Sequence, residues 1–132
     1  MIMPPRAAAL LAPALAIAAA APASAQSMSP MRAEITSFAE SFAVRVFPAN
    51  PYDHQIRVEV RVYDQDFAPV AAEVLPGSFM LGAQASRSVL VVVPFAGAAD
   101  RKVRICTESV PFPTEQTRIK AQICGKFFAR RR

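Results

Sequence analysis

The sequence predicts an all-β fold, an immunoglobulin-like sandwich of seven strands, and three observations carry that expectation. The chain has 12 Pro against only 4 Gly, and a Pro about every ten residues rules out a long helical bundle, because Pro lacks the amide hydrogen and clashes with the preceding turn. Ile56, Val58, Val60 and Val62 alternate with Arg57, Glu59, Arg61 and Tyr63, the period of two of a sheet with one buried and one wet face. Short apolar runs separated by turn residues recur along the chain, the pattern of a sandwich.

The 132 residues divide into a targeting segment and one domain. Arg6 precedes an apolar run from Ala7 to Ala21 broken only by Pro13, and Ala23-Ser24-Ala25 follows with small residues at the two positions a signal peptidase reads. Residues 1–25 are therefore expected to be a signal peptide, and residues 26–132 the exported domain, most naturally in a bacterial periplasm. A membrane span needs roughly twenty apolar residues and tolerates a central Pro poorly. Nothing later in the sequence approaches that length, so a membrane-spanning protein is not expected.

Taken in order, Gln26 to Pro30 reads as a polar lead-in. Arg32 to Phe38 is a short extended segment, and Phe42 to Phe47 alternates as a second strand ending at Pro48. Ala49-Asn50-Pro51-Tyr52-Asp53 is a turn, since Asn and Asp bond their own backbone and Pro fixes φ. The alternating strand Ile56 to Tyr63 follows, ended by Asp64-Gln65-Asp66. Ala71 to Leu75 and Phe79 to Leu81 read as one strand broken at Pro76-Gly77. Ser88 to Pro94 is a Val-rich strand buried on both faces. Ala96 to Asp100 is a loop, and Val103 to Val110 with Thr117 to Ala129 makes a final hairpin.

In an oxidising compartment the two cysteines can pair. A hairpin folded symmetrically near Thr114-Glu115-Gln116 sets Cys106 opposite Cys124, within disulfide reach across an antiparallel pair. A redox couple would show the C-x-x-C spacing, which is absent, so the bond reads as a structural staple.

Chemistry is otherwise scarce. The 15 basic and 10 acidic residues give a charge of +5, too small and scattered an excess to indicate nucleic-acid binding. One His and two Cys are too few for a protein-only zinc cage. His54 reads as a surface residue, with no nucleophile near it in sequence. Asp64 and Asp66 read as turn residues, and Met28 and Met31, without His, do not make a copper site. There is no phosphate-cradling Gly-rich loop and no nucleophile elbow. Arg130-Arg131-Arg132 reads as a solvated basic tail. An enzyme is not expected, nor a metal or cofactor.

Arg32 opening the first strand, the strand-turn-strand from Phe42 to Tyr63, Pro76-Gly77-Ser78-Phe79-Met80-Leu81, the Val-rich Ser88 to Val93, Val103 to Pro111 and the ending Lys126-Phe127-Phe128-Ala129-Arg130 together resemble the N-terminal domain of the PapD-like periplasmic pilus-assembly chaperones. The resemblance covers essentially all of residues 26–132, and order and spacing carry it more than any single motif. It implies a periplasmic chaperone or chaperone-like protein that binds pilus or fimbrial subunits, lends them its last strand, and holds their terminal carboxylate with two basic residues. By position those residues are Arg32 and Lys126. The implied partners are the subunits and an outer-membrane usher. In the family a second sandwich domain completes the cleft.

Within the final strand, Thr117 to Phe128, the residues Ile119, Ala121 and Ile123 lie two apart and are expected to project from one face toward subunit pockets, with Lys126 on the other face, toward Arg32. The competing class is a secreted structural or adaptor sandwich without chaperone activity, either a pilin-like subunit or an envelope interaction module.

Overall fold

A computed structural model describes residues 2–4, 26–116 and 118–132. The expected signal peptide, residues 1–25, lies outside the described residues apart from 2–4. In chain order the strands are β1 (Ser27–Ser29), β2 (Arg32–Ser37), β3 (Ser41–Ala49), β4 (Ile56–Tyr63), β5 (Glu73–Leu75), β6 (Ser78–Leu81), β7 (Val89–Pro94), β8 (Asp100–Ser109) and β9 (Ala121–Arg131). They form a four-stranded sheet ordered β1-β3-β7-β5 and a five-stranded sheet ordered β2-β9-β8-β4-β6. No helix among the described residues is long and apolar enough to cross a membrane.

The alternation read from sequence sets the core. Ile56, Val58, Val60 and Val62 are buried on β4, while Arg57 and Arg61 on its other face are exposed. Val44 and Val46 of β3, Val89, Val91 and Val93 of β7, Val103 and Ile105 of β8, and Phe127 and Ala129 of β9 meet them between the sheets. Phe42 and Phe95 close one end, their rings 5.2 Å apart. Each such Val, Ile or Phe side chain contributes about 1.5–3 kcal/mol by leaving water.

The strand count differs from the expected seven in two places. The lead-in is a strand: β1 pairs with β3 because its side chains have buried partners. Met28 accepts a hydrogen bond from the Thr107 hydroxyl on β8, and Gln26 Oε1 accepts one from Ser109 Oγ at 2.5 Å. The broken strand around Pro76-Gly77 is two strands in different sheets, β5 on β7 and β6 on β4. Pro76 cannot donate to a ladder, and the chain changes sheets there.

The hairpin also shifts. β9 begins at Ala121, not Thr117, and continues through Arg131. Arg130 and Arg131 therefore belong to a strand, opposite Thr36 and Ser37 of β2, and the Arg131 amide donates to the Ala99 carbonyl at 2.8 Å. Their exposed side chains match the tail reading; their backbone does not.

Between β8 and β9 the loop is pinned from outside the hairpin. His54 Nε2 donates to the Pro111 carbonyl at 2.6 Å, and its ring stacks on Tyr52 and packs against Phe112, with centroids 5.4 and 5.2 Å away. His54 is thus a partly exposed clasp, more than a plain surface residue.

Candidate functional site

The pairing of β2 with β9 is parallel, unlike the other ladders, and its register sets Arg32 opposite Lys126. On β2, Ala33 and Ile35 pack against the core while Arg32, Glu34 and Thr36 face outward. On β9, Phe127 and Ala129 are buried, so Lys126 and Arg130 point outward. The two cations expected from sequence therefore share one face of one sheet. Neither forms an ion pair with a carboxylate among the described residues.

They open onto a cleft of about 340 Å³ lined by Arg32, Glu34, Lys102, Arg104, Lys126 and Phe128, among others. Four cations against one acid give the cleft a positive local charge, which favours a negatively charged group. Lys102 and Arg130 flank the Phe128 ring at 5.5 and 4.8 Å from its centroid, a cation–π arrangement that fixes the cleft wall. Lys102 and Arg104 were not among the residues singled out from sequence. The signal was present, because the hairpin symmetry that sets Cys106 opposite Cys124 also sets Arg104 opposite Lys126.

β9 presents two different edges. β8 pairs with it from Ala121 to Arg130, whereas β2 takes the other side only from Lys126 onward. Among the described residues no strand pairs with that second side of Ala121–Gly125. The open edge is thus shorter than the expected Thr117–Phe128, because β2 covers its end. The Lys126 amide, where the edge closes, donates to the Met31 carbonyl at 2.9 Å.

Of the three apolar residues expected on that strand, Ala121 and Ile123 are half-buried and share one face. Ile119 precedes the strand and is 67% exposed, beside Phe112, Glu115 and Gln116 at a loop pocket. The ladder with β8 begins only at Ala121, so Ile119 falls outside it and a strict alternation through all three is broken.

The start of β9 is tied to β8 on the outer face. Cys106 and Cys124 form a disulfide with Cα atoms 4.0 Å apart. Next to it the buried Glu108 accepts from Tyr63 Oη at 2.7 Å and Gln122 Nε2 at 2.8 Å. Its second oxygen lies 3.0 Å from Lys120 Nζ and 3.4 Å from Arg61 Nε. Burial alone pushes the Glu108 carboxyl up, but the bonds from Tyr63, Lys120 and Gln122 outweigh it and hold the group below its ordinary value. Burial first, and then the bond to Glu108, raises the Tyr63 hydroxyl. These groups lie together on the outer face, and sequence reasoning had no local pattern by which to find them.

No protein-family model matches this sequence, and no curated protein matches it. Solved structures do share its fold. A chain of the Salmonella enterica complex of the SafA pilin with the SafB chaperone superposes with a TM-score of 0.68 at 20% identity, over 85% of this chain and 57% of that one. The E. coli chaperone DraB gives 0.65 at 20% identity, over 82% and 56%. A C. elegans MSP family member gives 0.58 at 14% identity, over 81% of this chain and 99% of its own. The chain therefore has the PapD-like immunoglobulin fold, and it spans a little over half the length of the solved chaperone chains it matches.

Proposed function

We propose that this protein is a periplasmic chaperone or chaperone-like protein, not an enzyme, that binds pilus or fimbrial subunits by edge-strand donation and anchors their terminal carboxylate on Arg32 and Lys126. One observation carries this reading. The open edge of β9 stops where β2 begins, and Arg32 and Lys126 face each other at that stop. A strand added along Ala121–Gly125 in the direction of β9 would run collinear with β2 and end against those two cations. Main-chain bonds supply its affinity, and charge-assisted bonds to its free carboxylate fix its register. Ala121 and Ile123 offer its neighbours an apolar face. An outer-membrane usher is the second partner expected for such a chaperone.

The test is a pull-down with purified pilus subunits, using the parent protein, Arg32→Ala and Lys126→Ala. Each substitution is expected to weaken capture by about ten-fold or more, the worth of one charge-assisted bond. If both variants stay folded and bind as the parent does, the carboxylate anchor is wrong; if the parent captures no subunit, the chaperone reading falls. Export belongs to the same proposal. The Gln26 side chain is buried against Ser109, so cleavage after Ala25 leaves the packed domain whole, and the intact mass of exported protein should start at Gln26. Retention of Met1 on most molecules would refute it.

A second reading, an envelope adaptor sandwich without chaperone activity, draws support from the likeness to the MSP family member, which this chain covers along 99% of its length. Capture of a non-pilin envelope protein, insensitive to both substitutions, would favour it.

A further inference from the structure

Arg104 makes the cation pair into a row of three. The β8 register sets Arg104 opposite Lys126 on one side, as the β2 register sets Arg32 opposite it on the other. All three side chains belong to the outward face, so the row crosses three adjacent strands over roughly 10 Å. A single carboxylate bridges two neighbouring cations of such a row; its two oxygens lie too close together to serve the third as well.

Arg104 is also held in place. Its guanidinium lies 4.6 Å from the centroid of the Phe67 ring, and its Nε lies 3.4 Å from the Gln65 carbonyl. Phe67 has a left-handed backbone, φ 60°, uncommon for any residue with a side chain. The loop is braced to keep it so: the Asp64 carboxylate accepts from the amides of Asp66 at 2.8 Å and Ala68 at 2.9 Å, and the Asp64 amide donates to the Ala68 carbonyl at 2.9 Å. The Tyr63 ring packs on Phe67, with centroids 6.1 Å apart. The terminal nitrogens of Arg104 make no hydrogen bond to the rest of the described chain, and Glu34 is the acid among the residues lining this cleft.

We propose that the row Arg32–Lys126–Arg104 takes a chain end bearing two carboxylates, the terminal one and the side chain of an acidic last residue, with Arg104 the specificity-determining contact for the second. This rests on the chain-end reading above. A peptide end suits the site better than an anionic lipid surface, because the cations line a recess that begins where the open edge of β9 stops, with the aromatic ring of Phe128 beside them.

The experiment titrates the full protein with three short peptides of alternating apolar sequence, ending in free Asp, in free Asn, or in Asp with its terminal carboxylate amidated. The parent is expected to bind the Asp-ended peptide about ten-fold more tightly than the Asn-ended one, the worth of one charge-assisted contact. Arg104→Gln should abolish that preference, so that the Asp-ended and Asn-ended peptides bind alike. Phe67→Leu, which keeps the charge and removes the stacking platform, should narrow it. Equal affinity of the parent for free Asp and Asn ends overturns the proposal, and loss of binding on amidation would still uphold the chain-end reading. Equal affinity for free and amidated ends overturns both. Binding to phosphatidylglycerol vesicles that Arg104→Gln removes, without discrimination among the peptides, reassigns the row to a lipid surface. Should Arg104→Gln fail to fold, the Asp and Asn peptides on the parent, with Phe67→Leu, decide the question alone.

Discussion

Cys106 of β8 stands directly opposite Cys124 of β9, at the centre of the face that ties the start of β9 to the sheet. One neighbouring link on that face, Gln122 to Glu108, lies one register step pair away. The disulfide thus supports the stretch whose other edge is open, Ala121–Gly125.

The first prediction concerns this bond. Protein made in an oxidising compartment should be two hydrogens lighter by mass than its reduced form. Cys106→Ala with Cys124→Ala should cost about 3 kcal/mol of stability, the closure entropy of a loop of this length, read as a lower midpoint in chemical denaturation. Two free thiols in exported protein would remove the pairing.

The second prediction concerns Gly125, which sits where Met31 crosses β9. A Cβ there would lie 2.7 Å from a Phe127 ring carbon and 3.0 Å from the Met31 carbonyl. Phe127 is buried, and the Met31 carbonyl accepts from the Lys126 amide, so neither yields freely. Gly125→Ala should destabilise by about 1–3 kcal/mol through overpacking, and it should weaken subunit capture by shifting Arg32 away from Lys126. Unchanged melting and capture would show that the crossing has room to move.

Much of the fold was legible because it is local. Alternation through Ile56 to Tyr63 reports burial residue by residue, and the symmetry about Glu115 was enough to pair the cysteines. The Val-rich run into Pro94, expected to be buried on both faces, instead buries Val89, Val91 and Val93 and leaves Leu90 and Val92 half-buried. What escaped depends on partners distant in sequence. β1 is short and polar and is a strand because Met28 and Gln26 meet Thr107 and Ser109. Ile119 leaves the strand while the loop before it is held by His54 and Tyr52. Asn50, read as a turn residue, is a buried hub whose Nδ2 faces the carbonyls of His54, Leu81 and Gly82 at 2.9–3.1 Å. In the cleft, Arg32 and Lys126 came from position in a resemblance, whereas Arg104 needed the register between strands.

The third prediction is a pH dependence carried by Glu108. Its folded pKa lies below the ordinary value of 4.5, because the bonds from Tyr63, Lys120 and Gln122 outweigh the effect of burial. A carboxyl whose pKa is depressed by folding contributes stability in full above its unfolded pKa and loses it as pH falls through the folded one. The parent should therefore hold this contribution from neutral pH down to about 4.5 and shed it below. Glu108→Gln keeps the shape but not the charge, and it should be less stable than the parent at neutral pH by about 1–3 kcal/mol, the cost of unmaking a buried charged contact. The gap should close as both are acidified, since the parent's carboxyl is then protonated. Denaturation midpoints of the two proteins measured from pH 7 downward test this directly. A gap that stays constant across the acid range would mean that Glu108 stabilises the start of β9 by packing alone.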